Sequence, residues 1–103
     1  MKTYKISKHI TEEHSERYEA IKKYIGIGTI TYKIKDYDSR NLLITNTGVM
    51  MVASQDTIVT MYALKYGKAK AVFKGIIPNK LRDAIKKNLS LPREAQMELG
   101  LLH

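Results

Sequence analysis

His14, Arg17, Thr60 and Tyr62 are the side chains whose types could together do chemistry in this chain of 103 residues. A histidine exchanges protons near neutral pH, a guanidinium holds a phosphate charge, and a hydroxyl and a phenol donate hydrogen bonds. Metal-independent cleavage of RNA asks for such a set. A base takes the 2′-OH proton, an acid protonates the leaving 5′-oxygen, and cations stabilise the charged phosphorane. Each residue alone also has a plainer role: His14 as a histidine at the core edge, Thr60 as an ordinary strand residue, Tyr62 as a packing aromatic. The set has no clear second acid–base group.

Two elements must bring these residues together. Residues 8–25 (KHITEEHSERYEAIKKYI) have the spacing of a helix. Thr11 is the expected N-cap, Glu12 and Glu13 sit where the helix dipole favours anions, and Gly26 is the expected C′ residue. Tyr18, Ile21 and Ile25 form an apolar stripe that Ile10 and His14 extend backwards, so His14 is expected to point inward with Arg17 bordering that face. The pattern then changes to period two. Residues 29–35 alternate, 36–41 read as a turn, 42–45 form a second strand, Asn46-Thr47-Gly48 a tight connection, 49–54 a third strand, Gln55-Asp56 a turn and 57–64 a fourth strand. Thr60 and Tyr62 share one face of that strand, and Val59, Met61 and Ala63 share the other. A helix covering the first face makes a half-polar cleft with His14; a helix covering the second disperses the set.

The flanking segments complete the expected architecture. Residues 1–7 suit a short edge strand or an arm, and KAKAVFKG from Lys68 alternates as a fifth strand would. Pro78 and Asn79 open a helix with Leu81, Ala84, Ile85 and Leu89 on one stripe, and a short helix over 93–99 ends at Gly100. The expected fold is one α+β domain over 1–103: an N-terminal helix, a four-stranded antiparallel meander (five-stranded with the segment from Lys68) and a C-terminal helical segment.

Composition narrows the function classes. The chain has no cysteine, which removes disulfide and thiolate chemistry and fits a reducing cytosol. It shows neither a signal-peptide core nor a run long enough to span a bilayer, so a cytoplasmic location without a membrane partner is expected. The net charge is +8, and residues 64–103 hold nine Lys/Arg against three acids, whereas 1–63 hold nine against seven. A basic tail half suggests a polyanion partner, RNA or DNA ahead of an anionic membrane surface. Lys68, Lys70, Lys74, Lys80, Arg82, Lys86 and Lys87 are the candidates for tracking phosphates, and Asn and Gln that could read bases are scarce among them. A docked helix with a solvated face is the plainer account of the same lysines. No metal site and no cofactor are expected: His9 and His14 lie about 140° apart on an α-helix, Glu13 and Glu16 add no recognisable ligand spacing, and Gly26-Ile27-Gly28 lacks the rest of a phosphate-binding fingerprint.

KHITEEHSERY followed by DTIVTMYAL resembles short phage and mobile-element proteins grouped with the barnase–EndoU–colicin–RelE superfamily of small ribonucleases. In these a helical His-x-x-(Glu)-Arg segment precedes a meander that closes on a strand with Thr and Tyr. The resemblance covers about residues 8–65. Carried over by position, it implies His14 (or His9) as the acid–base residue, Arg17 as the phosphate contact, and Thr60 with Tyr62 as the strand contributions. Two departures stand out: the family pattern uses a longer helix pair before its sheet, and the lysine-rich end has no counterpart there. Three functions remain open: a small toxin-like or phage-borne ribonuclease, a non-catalytic nucleic-acid-binding or accessory module, and a structural or adaptor domain whose charge keeps it in solution.

Overall fold

The computed structural model describes residues 4–36 and 39–102. The turn expected at 36–41 includes Tyr37 and Asp38, which lie outside the described residues, as do Met1–Thr3 and His103. Among the described residues five strands form one sheet: β1 (Lys5–Ile6), β2 (Ile30–Lys35), β3 (Asn41–Thr45), β4 (Val49–Ser54) and β5 (Thr57–Ala63), in the order β1-β5-β4-β3-β2. The last four make the expected antiparallel meander, with Leu43 opposite Met51 and Met51 opposite Met61. Short connections make such neighbours antiparallel. A bulge sits in β5, where Val52 pairs with Thr60 but Ala53 pairs with Ile58, leaving Val59 as the extra residue.

The sheet is mixed, which corrects the expectation of a purely antiparallel one. β1 pairs parallel with β5 through Lys5–Thr57 and Ile6–Ile58. The fifth strand is therefore the N-terminal one, and the segment from Lys68 is helical instead: α2 spans Tyr66–Val72. Lys and Ala in alternation imitate period two, but Tyr66, Ala69 and Phe73 also repeat at helical spacing, and Ala69 is fully buried. Alanine and lysine favour the helix, and no β-branched run opposes it. The other helices are α1 (Ser15–Tyr24), α3 (Asn79–Leu89) and α4 (Arg93–Glu98).

Helices cover both faces of the sheet. On one face, Ile21 and Ala20 of α1 and Leu99 after α4 pack with Leu43, Val49, Met51, Met61 and Ala63. On the other, Ala69 of α2 and Leu81 and Ile85 of α3 pack with Ile44, Met50 and Leu64. Alternation along β3 and β4 divides the apolar residues between the two layers, which is why 49–54 is apolar on both faces. Each fully buried Ile or Leu contributes about 1.5–3 kcal/mol of transfer free energy.

Polar staples fix how the layers meet at the β3–β4 turn. Gly48 there has φ +84, and a Cβ would stand 2.9 Å from Asn88 Nδ2. The buried Asn88 of α3 donates to Thr47 O at 2.9 Å, and Thr47 Oγ1 donates to Gly26 O at 2.8 Å just beyond α1. Gly26 (φ +75) ends α1 as expected.

Candidate nucleic-acid interface

The helix expected over residues 8–25 is broken into two pieces, and this decides the position of His14. His9–Glu13 forms a π-helical turn closed by the His14 N–H on His9 O at 3.1 Å. His14 is the junction residue, with φ −119 and ψ 36, outside the helical region. The helical phase that would aim it inward does not extend through the junction, and its side chain is exposed. Thr11 lies inside the π-turn and is not an N-cap; neither helical piece has a side-chain cap. The inward positions of α1 are Ala20 and Ile21, with Tyr18 and Tyr24 packed beside them.

The set His14, Arg17, Thr60 and Tyr62 is divided by the sheet. The layer holding α1 covers Met61 and Ala63, whereas Tyr62 packs into the opposite layer with Met50 and Ile44. Thr60, two residues before it beyond the bulge, lies on that same opposite face. Arg17 alone bridges the division. β1 stops at Ile6, so β5 has an open edge beyond Ile58. Arg17 reaches this edge, its Nη1 donating to Met61 O at 3.5 Å. Burial raises the Tyr62 phenol above the usual tyrosine range, and the Arg17 guanidinium opposes that shift. The Tyr62 hydroxyl donates to Met50 Sδ at 3.8 Å, so it is directed into packing. Arg17 and Tyr62 are neighbours, and on the α1 side His14 and Arg17 line one hollow with Glu13, Glu16 and Glu98. His14 and Tyr62 belong to different sides of the sheet.

The seven basic candidates lie in one layer instead. Lys68 and Lys70 are on α2, Lys74 follows it, and Lys80, Arg82, Lys86 and Lys87 are on α3; all seven are exposed. Residues 65–89 carry eight cations and one acid, Asp83, whereas the opposite helices (8–24 and 93–98) carry five cations and six acids. Among the described residues none of the seven has a carboxylate within ion-pair distance. The cations of α1 are engaged locally: Lys22 pairs with Glu19 at 3.3 Å and lies over the Tyr18 ring, and Lys23 lies over Tyr24. The Tyr24 hydroxyl donates to Glu98, which raises that phenol above its usual range.

Two of the hollows beside the basic layer are each lined by two of its seven cations. One, of about 470 Å³, is lined by Tyr66, Gly67, Lys70, Ile77 and Arg82 between α2 and α3. The other, of about 390 Å³, lies where α3 meets the β3–β4 turn and is lined by Lys80, Asp83, Lys87, Asn46, Thr47 and Tyr24 among others. Around α3, Arg82 and Lys86 are one turn apart on the flank towards α2, and Lys80 and Lys87 occupy the other flank. Sequence reasoning found these cations but not their division into two flanks, which depends on the helical form of α2. It also missed the second hollow, whose Asn46, Thr47 and Asn88 look like ordinary turn and helix residues in the chain.

Among the described residues no group of three or more His, Asp and Glu side chains is placed to hold a metal ion, and no helix is long and apolar enough to cross a membrane. Comparison of the chain with protein-family models, curated proteins and solved structures gave no match.

Proposed function

We propose that the protein is a non-catalytic nucleic-acid-binding module that holds RNA or DNA by its phosphate backbone along the groove between α2 and α3. The observation that carries this proposal is the one-sided charge: eight cations against one acid over residues 65–89, beside a balanced opposite layer. Lysine and arginine side chains that neutralise phosphates release condensed counterions, and this alone supplies sequence-independent affinity. Lys70 and Arg82 flank one hollow and Lys86 continues the line one turn on. Tyr66 adds an aromatic surface in the same hollow. Base-reading side chains are sparse on the exposed face, so the module positions a strand without selecting its sequence.

Binding is favoured over cleavage because of the division described above. His14 lies exposed beside α1, and Thr60 and Tyr62 belong to the other side of the sheet. Fluorescence anisotropy with a labelled duplex and a labelled single-stranded RNA, at several salt concentrations, tests the proposal. Both probes should bind with affinity that falls steeply with salt, His14→Ala should bind as the parent does, and the RNA should stay intact. Absence of affinity at every salt concentration would leave the structural or adaptor role. RNA cleavage lost in His14→Ala would establish the ribonuclease instead.

A further inference from the structure

The π-turn at the N-terminus does something an α-helix cannot: it stacks residues five apart on one face. In an α-turn the His9 and His14 side chains would diverge by about 140°. Here the hydrogen bond from His14 N–H to His9 O closes the turn over five residues. The two imidazoles meet with Nε2 atoms 3.1 Å apart and ring centroids 4.6 Å apart at an interplanar angle of 81°. Rings meeting tip to tip would hold their centroids farther apart, so the two nitrogens sit side by side at the surface. Both rings are exposed.

We propose that His9 and His14 form a two-nitrogen binding site for one first-row divalent transition-metal ion, with Zn²⁺ as the type ion. At a metal–nitrogen distance of about 2.0–2.1 Å, nitrogens with this separation subtend about 95–102° at the metal, between octahedral and tetrahedral values. Imidazole pairs select Zn²⁺, Cu²⁺ and Ni²⁺ over Mg²⁺ and Ca²⁺, which prefer oxygen donors. The Glu13 carboxylate contacts His9 Nδ1. It takes the Nδ1–H and so leaves the Nε2 lone pair free, the arrangement in which carboxylates orient metal-ligating histidines. In the metal-free chain the His14 Nε2–H donates to His9 Nε2; on binding, the His14 proton shifts to Nδ1 and both Nε2 lone pairs serve the ion. The remaining positions face solvent and take water. Glu13 is thus a positioning residue, and the site stands apart from the basic layer.

Isothermal titration of the full chain with Zn²⁺, and separately with Cu²⁺, tests this. One equivalent should bind tighter than about 1 mM, with Cu²⁺ tighter than Zn²⁺. His9→Ala and His14→Ala should each lose at least about tenfold, and Glu13→Gln should lose about tenfold or more. Glu13→Gln should also redistribute the His9 ring proton between its two nitrogens, read from imidazole ¹⁵N shifts. All three positions are exposed, and thermal melts of the variants establish that each is folded. Binding unchanged in both histidine variants, binding no tighter than about 1 mM, or one ion shared by two chains would overturn the proposal.

Discussion

Replacing Lys70 and Arg82 together by alanine should remove the two cations that flank the hollow between α2 and α3 while leaving the fold intact. Both side chains are exposed and make no ion pair among the described residues, so the loss of stability should stay within about 0.5 kcal/mol. The effect on binding follows from counterion release, in which each phosphate contact on duplex DNA contributes about −0.9 to the slope of log Kobs against log[salt]. If Lys70, Arg82 and Lys86 alone reach phosphates the parent slope is about −2.7, and if all seven exposed cations do it is about −6.3. Losing two contacts should make the slope shallower by about 1.8. At about 0.15 M monovalent salt each contact is worth about fivefold in affinity, so the double variant should bind about 30-fold more weakly, a loss of about 2 kcal/mol. Anisotropy titrations of a labelled duplex at four or five salt concentrations measure both quantities. Lys80→Ala/Lys87→Ala, on the other flank of α3, is the comparison pair and should change the slope less. An unchanged slope for the first pair, or a larger change for the comparison pair, would refute the placement of the phosphate track.

The same geometry yields further expectations. Asn88→Ala removes the donor to Thr47 O in a buried setting and should cost about 1–3 kcal/mol, seen as a drop in the thermal midpoint. Gly48→Ala introduces a Cβ at φ +84 within 2.9 Å of Asn88 Nδ2 and should cost about 1–3 kcal/mol, measured by urea unfolding. Ile21→Ala opens a cavity in the fully buried α1 contact and should cost about 2–5 kcal/mol. Because burial raises the Tyr62 phenol, the folded chain keeps that proton at pH values where the unfolded chain releases it. The stability from this group is complete below the unfolded value of about 10 and is lost as pH rises through the folded one. Tyr62→Phe should therefore flatten the alkaline fall in stability that begins above about pH 10, and an unaltered alkaline limb would count against it.

Much of the fold was legible from alternation. β2 to β5 fall close to where period two places them, and 49–54 matches β4 because its two apolar faces signal cover on both sides. Which helices cover which face was not read from that clue and is decided by tertiary packing. Thr60 and Tyr62 were correctly placed on one face of β5; which layer meets that face was decided by Met61 and Ala63 packing against α1. Two local features were hidden for opposite reasons. Lys68–Lys74 alternates in a way that strand and helix can both satisfy, and burial of Ala69 selects the helix. The extra residue in the π-turn leaves no compositional mark, so uniform helical phase pointed His14 inward and kept it away from His9. The basic residues were fully visible in the sequence because exposed charge needs no partner to identify it.

Amide chemical-shift mapping of the ¹⁵N-labelled chain, titrated with a short duplex in low salt, tests the central claim most directly. The account predicts that perturbations concentrate in residues 66–89, strongest around Lys70, Arg82 and Lys86, and reverse on addition of salt. Perturbations concentrated instead on residues 9–24 and 93–98, or none at all, would contradict it.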